Sequence, residues 1–109
     1  MSSSPVSTQN EIQERIQRGY LERLDKRIRK MRKLLTERDW HTLRVESIHL
    51  KNTAAGFGLP QLTQLAAGLE AAIPEKDISK ATPLPNARQA AEALFTAIDQ
   101  VLVNRTISF

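Results

Sequence analysis

The amino-acid sequence predicts an all-α protein, an antiparallel four-helix bundle with an additional N-terminal helical segment. Three observations predict it. Apolar residues recur at spacings of three and four along most of the chain, the period of an amphipathic helix. Aromatic residues make up only 5% of the sequence, so a core must be built from Leu, Ile, Val and Ala, which favours helices over a β-sandwich. No β-branched run alternates with polar residues, so no sheet is expected. At 109 residues, 40% hydrophobic and 26% charged, the chain suits one domain rather than two.

Residues 1–8 are expected to form a disordered N-terminal tail, residues 9–104 the bundle and residues 105–109 a C-terminal tail. Ile12, Ile16, Tyr20, Leu24, Ile28, Met31 and Leu35 form the apolar stripe of a first long helix over about 8–37, or of a short helix running into a longer one. Asp39 reads as an N-cap, its carboxylate accepting from the free N–H groups of a second helix. In that helix Trp40, Leu43, Ser47, Leu50, Ala54 and Phe57 repeat at steps of three and four, which defines its buried face. Gly58 ends it, and Pro60 suits the first turn of the next. The third helix buries Leu62, Leu65, Ala66, Leu69 and Ile73 and stops at Pro74. Glu75 to Pro85 is polar with two further prolines, a loop long enough to cross one end of a bundle. A fourth helix over about 86–104 offers Ala87, Ala91, Leu94, Phe95, Ile98, Val101 and Leu102, with Thr82 or Asn86 as its cap. Short connections make neighbouring helices antiparallel.

Composition excludes several kinds of chemistry. Without cysteine there is no disulfide, thiolate metal site or cysteine nucleophile. Two histidines eight residues apart with no clustered carboxylates make no metal site. Gly56-Phe57-Gly58 is a helix-ending signal too short to cradle a nucleotide. No cofactor and no independent catalytic activity are expected. The N-terminal stretch lacks a basic start and an apolar core, and no apolar run approaches the roughly 18 residues that span a bilayer, so a cytoplasmic protein without membrane contact is expected. The sequence leaves the oligomeric state open, with a monomer favoured.

The net charge of +4 is uneven. Residues 1–39 hold ten Lys/Arg and six Asp/Glu, whereas residues 40–109 hold six of each and balance. Six basic residues fall within 26–33, interrupted only by Ile28 and Met31. This run reads as a solvated helix face, with docking of an acidic partner or of nucleic acid as alternatives. No aromatic or recognition-helix pattern accompanies it.

The order Tyr20-Leu-Glu-Arg-Leu24, Asp39-Trp40, Leu43, Leu50-Lys51-Asn52-Thr53-Ala54-Ala55-Gly56-Phe57-Gly58-Leu59-Pro60-Gln61-Leu62 and Leu69-Glu70 closely resembles the histidine-containing phosphotransfer (HPt) domains of bacterial two-component phosphorelays, over about residues 10–103. The resemblance implies a helical bundle of that type whose second long helix exposes a histidine, followed by any residue and then Leu-Lys-Gly. Leu50, Lys51, Ala54 and Gly58 fall in place. The family's phosphorylated position, however, lands on Ile48, with His49 one residue later, and Asn52 replaces the glycine after the lysine. A one-residue gap does not repair this, because it would rotate the rest of the helix by about 100° and misplace the core stripe.

The resemblance implies a response-regulator receiver domain, a hybrid histidine kinase, or both, as partners, with the metal ion and the phosphorylated aspartate supplied by the receiver. A docking surface around Ile48, Lys51, Asn52, Ala55 and Arg44 follows. A neutral imidazole is nucleophilic near neutral pH and can hold a phosphoryl group as a phosphoramidate, so His49 is the candidate phosphoacceptor. Helix geometry places Ile48 and His49 on opposite flanks, each about 130° from the buried direction, with Lys51 beside Ile48 and roughly 160° from His49. His41, in the first turn of its helix, reads as a surface residue. The implied function is receiver docking in phosphorelay signalling by a degenerate, binding-only member; an active phosphohistidine carrier using His49 is the alternative.

Overall fold

The computed structural model describes residues 4–76 and 78–104, with side chains from Glu11 onward. Four helices follow one another, α1 (Ser4–Glu37), α2 (Trp40–Gly56), α3 (Pro60–Ala72) and α4 (Pro85–Asn104), with no strand among the described residues. Cross-helix pairs give their directions. Arg27 meets Glu46 while Tyr20 stacks on Phe57, so α1 and α2 are antiparallel. Lys51 and Arg44 both reach Glu70, and Arg32 reaches Asp99, which joins α2 to α3 and α1 to α4. The expected bundle is the observed one.

Each helix end has a local cause. After α1, the N–H of Arg38 donates to the Leu35 carbonyl and that of Asp39 to the Leu34 carbonyl, at 3.1 and 2.9 Å. This closure needs a left-handed residue, and Arg38 supplies it at φ +56°, a conformation that costs a side-chain-bearing residue roughly 1 kcal/mol. The Asp39 carboxylate then accepts from the Thr42 N–H at 3.3 Å, the N-cap read from the sequence. Gly58, at φ +69°, closes α2 in the same way, with Leu59 N–H donating to the Ala54 carbonyl at 3.0 Å. Pro60 opens α3 and Pro85 opens α4, where a missing N–H costs nothing. Because Pro85 takes the first position of α4, neither Thr82 nor Asn86 is its cap. The Thr82 carbonyl instead accepts from the Trp40 indole at 3.1 Å, tying the α3–α4 connection across the end of the bundle.

Leu24, Met31, Trp40, Leu43, Leu50, Leu69, Leu94 and Ile98 are sealed in the core, and Ala54, Ala66, Ala87 and Ala91 let the backbones of α2, α3 and α4 approach. Leu65, Phe57, Val101 and Leu102, expected inside, are half-buried and pack around its edge.

The larger difference lies in α1. It is one unbroken helix starting at Ser4, ahead of the boundary near residue 8, since each residue added to a formed helix gains a backbone hydrogen bond at little further cost. Ile12 and Ile16, placed on the core stripe by their spacing, are each 49% exposed. Tyr20 already lies level with the α2–α3 turn, so among the described residues α2 and α3 do not reach Ile12 and Ile16.

Candidate functional site on helix α2

The buried face of α2 fixes everything else about it. With Trp40, Leu43, Ser47, Leu50 and Ala54 inside, residues 44, 48 and 51 line the flank toward α3, and residues 46, 49 and 53 the flank toward α1. Ser47 joins the core because its hydroxyl donates to the Leu43 carbonyl at 2.8 Å.

On the α3 flank Ile48 is half-buried. One turn on, Lys51 donates from Nζ to Glu70 Oε1 at 2.6 Å, while Arg44 Nη2 lies 3.7 Å from Glu70 Oε2 and 3.2 Å from Glu75 Oε1. The two cations border an open groove of about 500 Å³ between α2 and α3, whose other wall holds Ala67, Ile73 and Pro74. Lys51 is therefore held by a carboxylate of its own chain, a fact that needs the register between two helices and that α2's sequence alone does not reveal. Asn52 and Ala55 are exposed beside this flank.

On the α1 flank His49 is exposed, and its ring makes no hydrogen bond or ion pair among the described residues. Below it Glu46, only 8% exposed, accepts from Arg27 at 2.9 Å and faces Lys30 at 3.5 Å. Sequence reading missed Glu46; the one available signal was an acid set within reach of a basic helix. Above His49, Thr53 donates to the Leu50 carbonyl at 3.2 Å, and Tyr20 stacks on Phe57 with ring centroids 4.1 Å apart. The Tyr20 hydroxyl is buried without a partner in good hydrogen-bonding geometry. Burial raises its pKa above the ordinary 10.0, against the opposing influence of the Thr53 hydroxyl and the charges of Arg27 and Arg23.

The basic run of α1 is largely neutralised. Arg27 and Lys30 share Glu46, Arg29 pairs with Asp25, and Arg32 pairs with Asp99 while its guanidinium sits 5.7 Å from the Phe95 ring centre. Only Lys26 and Lys33 of the six make no ion pair among the described residues. This weakens the run as a polyanion surface. His41 is exposed at the start of α2. Among the described residues no three His, Cys, Asp or Glu gather as a metal site, and no helix is long and apolar enough to cross a membrane.

The described residues form a small antiparallel helical bundle whose second helix exposes His49 and half-buries Lys51. The family model of the Hpt domain matches residues 15–103, and the chain belongs to that family. No curated protein and no solved structure gives a significant match.

Proposed function

We propose that this Hpt-family protein docks the receiver domain of a response regulator through the α2 surface around Arg44, Ile48, Lys51, Asn52 and Ala55, and that it acts as a binding-only member that carries no phosphoryl group. One observation carries the reading. The side chain one turn before Lys51, on the lysine's own flank, is Ile48, which offers no nitrogen, and the Lys51 charge is already engaged by Glu70. Phosphoryl transfer to a histidine needs an exposed imidazole with positive charge at hand for the phosphoryl oxygens. The α3 flank has the cation without the imidazole.

A second reading rests on the exposed, unengaged ring of His49, which can attack the phosphorus of an aspartyl phosphate as the aspartate carboxylate leaves. The α1 cations near that flank, Arg27 and Lys30, are committed to Glu46, which favours the first reading. Incubation with phosphorylated receiver domains separates the two. The binding-only reading expects complex formation without transfer, and expects Ile48→His to gain an acid-labile, base-stable label. A label on the wild-type chain that His49→Ala abolishes refutes it.

A further inference from the structure

Arg44 has more hydrogen-bonding capacity than the described residues fill. Its side chain, 19% exposed, reaches two carboxylates through Nη2 alone, Glu75 Oε1 at 3.2 Å and Glu70 Oε2 at 3.7 Å. Its Nε is buried and has no hydrogen-bond partner among the described residues. Glu70 is held by Lys51 at 2.6 Å, so it is the fixed acid of the cluster. Glu75 is the loose one. It stands just beyond α3, after Ile73 and Pro74, and its side chain is 84% exposed. An ion pair with so exposed a partner contributes little, so replacing that partner costs little. The groove of about 500 Å³ that both cations border has room beside them, and Ala67, Ala71, Ile73 and Pro74 give it apolar walls.

We infer that this groove takes an acidic side chain of the docked receiver domain, which displaces Glu75 from Arg44 and leaves Glu70 in place, so that Glu75 is a built-in competitor for the partner. The inference rests on the receiver docking proposed above. Hydrogen-bonding capacity selects the occupant. A guanidinium and an ammonium only donate, and together they carry more N–H groups than the single hydrogen bond that each makes here, Arg44 to Glu75 and Lys51 to Glu70. A group that only accepts, an ionised carboxylate, fits that surplus. A partner's lysine or arginine would face two cations, and an amide or a hydroxyl would bring donors of its own. Charge selects the same occupant: with Glu75 turned away, Arg44 and Lys51 against Glu70 leave one positive charge. A carboxylate that meets the guanidinium end-on can engage Nη1 and Nη2 together, a bidentate contact that Glu75 does not make. Its methylene stem would then lie against the apolar walls, and the exchange replaces one carboxylate with another.

Calorimetric titration of the full chain with receiver domains, unphosphorylated and phosphorylated, tests it. Glu75→Gln should tighten binding about two- to fivefold for both forms, the gain expected from removing an exposed competing ion pair. Arg44→Gln should weaken binding about tenfold and abolish that gain, so that Arg44→Gln with Glu75→Gln binds no better than Arg44→Gln alone. Glu92→Gln, which removes an exposed acid from α4, should leave binding unchanged and so separates a local exchange from a general loss of negative charge. Glu75→Gln no tighter than the wild type, or a gain that survives Arg44→Gln or is matched by Glu92→Gln, would overturn the inference and leave receiver docking standing. A gain confined to the phosphorylated receiver would also overturn it, by assigning the groove to the phosphoryl group. A chain that binds no receiver domain in any of these forms would overturn the docking reading itself, and the exchange with it.

Discussion

Replacing Glu70 with Gln should move stability and docking in opposite directions. The carboxylate lies 2.6 Å from Lys51 Nζ and 3.7 Å from Arg44 Nη2, and the three side chains are 22%, 32% and 19% exposed. Exposed ion pairs contribute about 0.2–1 kcal/mol, whereas stripping one partner from a fully buried pair costs about 3–5 kcal/mol. This cluster lies between those limits, and Arg44 keeps Glu75 at 3.2 Å, so Glu70→Gln should cost about 1–2 kcal/mol. For a chain of this size each kcal/mol lowers Tm by about 4–8 °C, so the loss should be roughly 4–16 °C. Urea unfolding followed by the fluorescence of Trp40, the only tryptophan and 1% exposed, measures the loss. Combined with Lys51→Met in a double-mutant cycle, the coupling should be about 1 kcal/mol and shrink in molar salt. The same substitution releases the Lys51 ammonium toward solvent. If the α3 flank meets a receiver near its phosphorylated aspartate, binding should tighten severalfold while stability falls. A coupling below about 0.3 kcal/mol, or a complex weakened in step with stability, would refute this account of Lys51.

Tyr20→Phe should be neutral or stabilising by up to about 1 kcal/mol, because it removes a buried hydroxyl with no well-placed partner. The folded-state pKa of Tyr20 lies above 10.0, so the stability linked to it is complete below pH 10 and declines as pH rises through the folded-state value; the phenylalanine variant should lack that decline, and tyrosinate absorbance reports this sole tyrosine directly. Arg38→Gly and Gly58→Ala should have opposite signs, a gain of up to about 1 kcal/mol and a loss of about 1 kcal/mol, because both positions are left-handed and only one already holds glycine; denaturant midpoints decide. Trp40→Phe should cost about 2 kcal/mol by opening a cavity and orphaning the Thr82 carbonyl, and should speed proteolysis in the α3–α4 connection.

What could be read from the sequence divides along a physical line. Residues whose environment follows from their own helix were placed well, because a stripe such as Trp40, Leu43, Leu50 and Ala54 needs no knowledge of what it packs against. The N-cap at Asp39 and the stop at Gly58 are equally local. Ile12 and Ile16 show where locality ends: spacing identifies an apolar face, but only the point at which α2 turns, opposite Tyr20, determines that the bundle stops short of it. The candidate site splits in the same way. Helix phase was enough to set Ile48 and Lys51 on one flank and His49 on the other. The engagement of Lys51 by Glu70, and of Arg27 and Lys30 by Glu46, depends on the register between helices, which no single-helix pattern encodes. The net charge of +4 therefore overstates the free positive surface, and the same pairing limits the charge available to a phosphoryl group on either flank of α2.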